Sequence, residues 1–293
     1  MKNEKDATRI GIIILVASSL LFIGLGSVGV IVVSRKMKEN EAAKVEKVKQ
    51  NRQALGELTA VSDKLNAELR DKIGKEDAVE GSTEKAKQLG DAMGKAAAKA
   101  SGDDAKAMLA GQRLMASLQG SMAAYEKAYS AFLAKGGVAP GNLASSDDIT
   151  ERLALLKAFE SANRDFLDSL KDVEGKYRAE LLKDNMSATK ANIMAQQFYA
   201  GGKFDTIISI RGTDQELCVL MGDLLRFLQG AWGTWRVNDQ GITIFQRTAD
   251  LKTFTDFQAQ IKEVGDRQIL LQQKLLQNKQ AHPSPVKVEA GKP

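Results

Sequence analysis

Residues 10–33 read IGIIILVASSLLFIGLGSVGVIVV, 24 positions without a charged side chain. About 20 consecutive apolar residues in a helix cross the hydrocarbon core of a bilayer. Lipid demands that every backbone polar group be bonded internally, and a helix does this. Arg9 flanks one end of the run, and Arg35 and Lys36 flank the other, where long cationic side chains reach the headgroups. A cleaved signal peptide has a shorter apolar stretch and a small-residue cleavage site; no A-x-A-like site follows this run. The run is therefore read as a single-pass signal-anchor between a short basic tail, 1–9, and everything that follows.

Gly24, Gly26 and Gly29 inside the run match the spacing G-x-G-x-x-G. A dinucleotide site also needs a short preceding strand and alternating strands and helices downstream. Here the apolar run continues through Val33 and helical patterns follow, so the glycines are read as helix-packing positions.

Sidedness is argued two ways. Counting Lys and Arg places the large domain inside, because Arg35, Lys36, Lys38, Lys44, Lys47, Lys49 and Arg52 follow the apolar run. A short basic tail before an apolar helix is the usual signal-anchor arrangement, and long domains cross regardless of flanking charge. The bulk of the chain is expected to be extracytoplasmic. The basic cluster at 35–52 reads as a solvated face in contact with headgroups.

The rest of the chain carries helical periodicity. Val45, Val48, Leu55, Leu58, Val61, Leu65 and Leu69 form one apolar stripe. A turn is expected over Gly74–Gly81, then an Ala-rich helix opening at Ser82-Thr83-Glu84 and interrupted or kinked at Ser101–Asp104. Met108, Met115, Met122 and Tyr129 recur every seven residues. Gly111, Leu118, Tyr125 and Phe132 follow each by three. These are the two core positions of a heptad, so the methionines are read as core. Gly136–Asn142 is a loop, and Asp147-Asp148 starts a helix with acids where the helix dipole favours them. Its apolar face runs from Leu153 to Phe198. Some 50 residues at about 1.5 Å each would make a rod of roughly 75 Å. Asn163 and Asp184 lie on or beside that face, to set register or face water.

Past Gly201-Gly202, residues 204–210 are extended or helical, and Thr213–Glu216 reads as a capping box. A hairpin is expected near 234–245, where Thr234–Val237 faces Ile242–Phe245 across a turn. The last helix runs from Thr248 to Gln280 on a heptad through Phe254, Ile261, Gln268 and Leu275. The tail 281–293, with Pro283, Pro285 and Pro293, is expected to be disordered. The stretches 34–73, 82–135, 147–200 and 204–280 are similar in length and joined by turns. The expected fold is thus all-α: a transmembrane helix, then an elongated antiparallel four-helix, coiled-coil-like bundle over 34–280, with a small β-hairpin.

The chemistry is bounded by scarcity. Cys218 is the one cysteine and His282, in the Pro-rich tail, the one histidine. Catalytic triads, Cys–His pairs and His/Cys zinc sites need a histidine in a structured site. No carboxylate pair stands out from a solvated helix face; Asp103-Asp104 and Asp147-Asp148 read as helix starts. Asn185-Met186-Ser187 matches a glycosylation acceptor but falls mid-helix on this reading. A net charge of +5 with no basic patch interleaved with aromatics gives no case for nucleic acid. No catalytic residue, metal, cofactor or small-molecule substrate is expected.

The aromatics concentrate late: nine of them lie between Phe198 and Phe257, both tryptophans included. That region is either a local core locking a turn or a partner surface with Trp232, Trp235, Phe204 and Phe245 as its anchors. The architecture is similar to that of helical sensor domains of bacterial chemoreceptors, which normally add a second membrane helix and an output domain absent here. The expected function is a structural or protein-interaction scaffold of the cell envelope, with a protein partner or self-association. The alternative is a ligand-sensing bundle that signals through a separate partner, and an enzyme is the third reading.

Overall fold

The apolar stripes fix where helices form, and tertiary contacts fix where they turn. The computed structural model describes residues 41–73 and 81–277. The anchor 10–33, the tails 1–9 and 281–293, His282 and most of the 74–81 turn lie outside the described residues, as does the first part of the basic cluster. Eight α-helices are seen: α1 Glu41–Arg70, α2 Ser82–Lys99, α3 Gly102–Ala134, α4 Ser146–Leu170, α5 Val173–Lys183, α6 Ala188–Gly202, α7 Phe204–Gly230 and α8 Thr248–Gln277. Between α7 and α8 lie β1 Trp235–Val237 and β2 Thr243–Phe245, paired antiparallel with Arg236 opposite Ile244. The structure is mostly helical with one two-stranded sheet, as expected. Among the described residues no helix is long and apolar enough to cross a membrane.

The expected four passes are six. The interruption at Ala100-Ser101 is a full reversal. Gly102 takes φ 67, and α2 runs back along α3 so closely that a Cβ on Gly111 would sit 3.1 Å from Met93 Sδ. Asn51 of α1 holds this reversal, accepting from Ser101 N at 2.9 Å and donating to Asp104 at 2.6 Å. Because α1 meets α2 and α3 at that level, its first turns extend beyond them. Val45 and Val48, expected on the apolar stripe, are therefore exposed, while Leu58, Leu65 and Leu69 are buried.

The expected 75 Å rod does not form either. The helix stops at Leu170, resumes as α5, and reverses at Asp184–Ser187. Asn185 adopts φ 57, a left-handed conformation that Asn tolerates better than most residues. Its N–H bonds Leu182 O at 3.0 Å, and Met186 N bonds Leu181 O at 3.3 Å. This is the bond pattern of a Schellman cap, with Met186 and Leu181 both buried beside it. Asn185 thus sits in a turn and not mid-helix. α6 returns along α5, where Arg178 donates to Asn192. The next break comes at Lys203, φ 52, one residue past the two glycines, which end α6.

Residues 204–210 are helical, and the capping box expected at Thr213–Glu216 is absent. Thr213 lies inside α7, where its hydroxyl donates back to Ile210 O at 2.6 Å. α7 runs antiparallel to α4, with Gln215 bonded to Glu160 and Gln229 to Thr150. α8 runs antiparallel to α7, with Arg267 paired to Glu216. α3, 33 residues and roughly 50 Å long, spans both parts of the core. Along its later turns it packs with α4, which in turn packs on α7, and α7 on α8; α5 packs on its earlier turns, and α2 runs back along it from Gly102 as far as Glu126.

Two ends are held by side chains rather than periodicity. Ser145 and Asp148 make a reciprocal capping box at the start of α4. Arg152, 2% exposed, donates to the carbonyls of Gly137, Ala139 and Asn142 and so ties down the 136–142 loop.

Candidate functional site

α7 places a residue toward the core every three or four positions: Phe204, Ile207, Arg211, Asp214, Cys218, Met221, Leu225 and Leu228, all buried. Two of these are charged. Arg211 and Asp214, 1% and 0% exposed, pair at 3.0 Å. The pair is surrounded by donors. Tyr125 of α3 donates its hydroxyl to Asp214 Oδ2 at 3.2 Å, and Gln268 of α8 donates to Oδ1 at 2.5 Å. The Arg211 guanidinium lies over the Tyr125 ring, 4.7 Å from its centroid, an arrangement that attracts a cation to the ring face. Asn163 of α4 donates to Arg211 O at 3.0 Å. One polar knot therefore takes a residue from each of α3, α4, α7 and α8.

Burial pushes the Asp214 carboxyl above its ordinary range, against the pull of Arg211, Gln268 and Tyr125. Three donors, from Arg211, Tyr125 and Gln268, converge on its two oxygens. Burial works against the Arg211 charge, but Asp214 and Tyr125 outweigh it and raise its pKa. The network ties four helices together through the bonds of one buried ion pair. Its effect is register: sliding any of these helices strips hydrogen bonds from a buried charge. Beside it, Asn163 Oδ1, Gln268 Oε1 and both amide atoms of Gln272 are buried without a hydrogen-bond partner among the described residues.

The four aromatic residues expected at a partner surface do not come together. Phe204 is 0% exposed and stacks on Phe198 and Tyr199 at the start of α7. It is core, roughly 40 Å along α7 from the others. Trp232, Trp235 and Phe245 do meet, at the hairpin end. The two indoles are edge to face at 5.3 Å, and Trp235 and Phe245 lie 6.5 Å apart. Phe245 continues into Phe254, 5.2 Å away, and into Phe227, 6.0 Å away. Phe227, Phe254 and Phe257 thus complete a cluster that spacing within any single helix does not reveal. Trp235 is half-buried and its indole N–H donates to Leu228 O at 3.0 Å, which fixes the ring. Trp232 stands outermost at 38% exposure, with Ile244 at 39% and Leu251 at 46% on the same end of the molecule.

A small cavity lies lower in the bundle, lined by Leu55, Met93, Met108, Tyr177, Met194 and Phe198 among others. Its volume is about 30 Å³, the share of one water molecule and far below the few hundred Å³ of a ligand cleft. The heptad methionines Met108, Met115 and Met122 are core, 6%, 0% and 3% exposed. Cys218 is buried and its thiol is pushed far up by burial, with Asp214 and Glu160 adding to the effect. Among the described residues no group of His, Cys, Asp and Glu is placed to hold a metal ion. No protein-family model matches the chain, and neither a curated protein nor a solved structure is similar to it.

Proposed function

We propose that this chain is a membrane-anchored helical-bundle protein that acts as a structural or protein-interaction scaffold of the cell envelope, its bulk extracytoplasmic. The anchor rests on the uncharged run 10–33. The scaffold reading rests on a core whose buried charges Arg211 and Asp214 pair with each other and on a sequence with no histidine outside the tail. The observation that carries it is the hairpin end. Trp232 stays 38% exposed while packing edge to face on Trp235 of the aromatic cluster, and tryptophans held this way supply much of the energy of protein interfaces. A second reading, ligand sensing, is favoured by a polar hollow lined by Glu174 and Arg178 of α5 and Asn192, Gln196 and Tyr199 of α6.

The test pairs topology with capture. A reporter fused after Pro293 reads the side of the membrane. A photo-crosslinker placed at Ile244 reports what touches the hairpin end in intact cells. The expected result is an extracytoplasmic C-terminus and a discrete adduct, to itself or to one protein, that disappears with Trp232→Ala at unchanged thermal stability. A monomer with no adduct, or an adduct indifferent to Trp232, rejects the assignment of this surface; a cytoplasmic reporter rejects the envelope location.

A further inference from the structure

The break between α4 and α5 opens onto a hollow of about 620 Å³ shared with α6. That is within the range of small-molecule clefts. No proline breaks the helix here. Asp172 stands at the N-cap position of α5, φ −120 and ψ 35, yet its side chain makes no cap hydrogen bond. Its carboxylate instead folds against Gly175, where a Cβ would lie 2.3 Å from Asp172 Oδ1. The missing side chain at 175 makes the room.

Side chains of both charges line the hollow: Lys171, Asp172, Glu174 and Arg178. Glu174 and Arg178 are spaced i,i+4 in the favourable order, a spacing at which Arg164–Glu160 and Lys252–Asp256 close and Asp91–Lys95 does not. Glu174 and Arg178 do not close. Arg178 reaches across to Asn192 Oδ1 at 3.3 Å. Among the described residues neither it, nor Glu174, nor Asp172 has an ion-pair partner within 4.0 Å, whereas the neighbouring Lys171 is paired to Asp168 at 2.6 Å. α6 contributes Asn192, Gln196 and Tyr199 at i, i+4 and i+7 to the same wall. Tyr199 is held by its ring stack on Phe204 and by donating to Asp205 at 2.6 Å. Burial, then Asp205, then the charge of Glu174 push its hydroxyl up to about 12.

We infer that this hollow binds a small zwitterion of the amino-acid or short-peptide class, with Asp172 and Glu174 taking its ammonium group and Arg178 its carboxylate. Anionic and cationic side chains that decline to pair with each other are complementary to a ligand carrying both charges. The two amides of Asn192 and Gln196 offer donors and acceptors for a peptide group between them. The inference does not depend on the scaffold reading or on the side of the membrane.

The probe is trialanine, titrated onto the full chain in detergent micelles and followed by ligand-observed NMR. N-acetyl-trialanine, trialanine amide and maltotriose are titrated in parallel. Blocking either terminus is expected to weaken binding about tenfold, the effect of losing one charge-assisted hydrogen bond. Arg178→Gln is expected to bind trialanine and its amide equally, while Arg178→Lys keeps the discrimination. Asp172→Asn with Glu174→Gln is expected to remove the preference for a free ammonium group. These positions are exposed or half-exposed, and a thermal melt of each variant confirms the fold. No saturable binding of trialanine, equal binding of the blocked peptides by the parent chain, or preferential binding of maltotriose overturns the inference.

Discussion

Removing the Asp214 carboxylate tests the polar knot most directly. Asp214 is 0% exposed and accepts from Arg211 at 3.0 Å, Tyr125 at 3.2 Å and Gln268 at 2.5 Å. Asp214→Ala leaves a guanidinium in the core without its counter-charge and two further donors without acceptors. Breaking one side of a buried ion pair costs about 3–5 kcal/mol, a large part of the roughly 5–15 kcal/mol that holds a domain together. The double replacement Arg211→Met with Asp214→Leu buries no charge, and apolar replacement of such pairs is often neutral or better. It is therefore expected to cost less than Asp214→Ala alone. The assay is equilibrium urea unfolding of the full chain in micelles, read by far-ultraviolet circular dichroism and by tryptophan fluorescence. Coincident transitions license the comparison of free energies. The reasoning is refuted if Asp214→Ala costs below about 1 kcal/mol, the worth of an ordinary hydrogen bond. A double variant as unstable as the sum of both single variants refutes it equally.

Glu126 of α3 caps α2 from outside, accepting from Gly81 N at 2.6 Å, Thr83 N at 2.9 Å and the Thr83 hydroxyl at 2.6 Å. Burial raises its pKa, but these donors outweigh that and hold it below the ordinary value of 4.5. A depressed carboxyl stabilises the fold above its unfolded pKa and loses that contribution as pH falls through the folded one. Glu126→Gln should thus cost about 1 kcal/mol near neutrality, as for loss of a cap, with the gap to the parent closing below pH 4.5 in acid melts. Gln272 is 1% exposed with neither amide atom bonded among the described residues, so Gln272→Met should raise stability by about 1–3 kcal/mol; a loss in urea titration would mean the amide is satisfied in solution. A Cβ on Gly202 would meet the Phe204 ring at 2.3 Å, whereas one on Gly120 meets nothing within 4 Å. Gly202→Ala should therefore cost about 1–3 kcal/mol and Gly120→Ala gain up to about 1 kcal/mol, as read from paired thermal melts. Cys218, 3% exposed with its thiol pushed up by burial, should react with Ellman's reagent only as the chain unfolds.

Much of the knot was legible in the sequence. Gln268 falls on the heptad of α8, and Asn163 on the face of α4. Arg211 and Asp214 occupy the same three-four spacing as Ile207, Cys218 and Met221, which marks them as charged residues at core positions. The capping-box pattern at Thr213–Glu216 hid this. The motif is local, while the burial that overrides it comes from α3, α4 and α8. That the two indoles and Phe245 would meet followed from the hairpin; that Phe204 would not followed only from where α7 begins.

The sequence by itself determined the helical periods, the heptad core of α3, the start of α4 and the hairpin at 235–245, because each depends on side chains a few positions apart. Only the tertiary structure decided how many times the chain reverses. Ser101 and Asn185 reverse it where Gly201-Gly202 does not, because reversal requires a partner helix to pack on and a cap to satisfy the freed backbone groups. Asn51 supplies the clamp at one reversal, and Leu181 with Met186 the apolar contact at the other. Neither is visible from the residues at the turn alone.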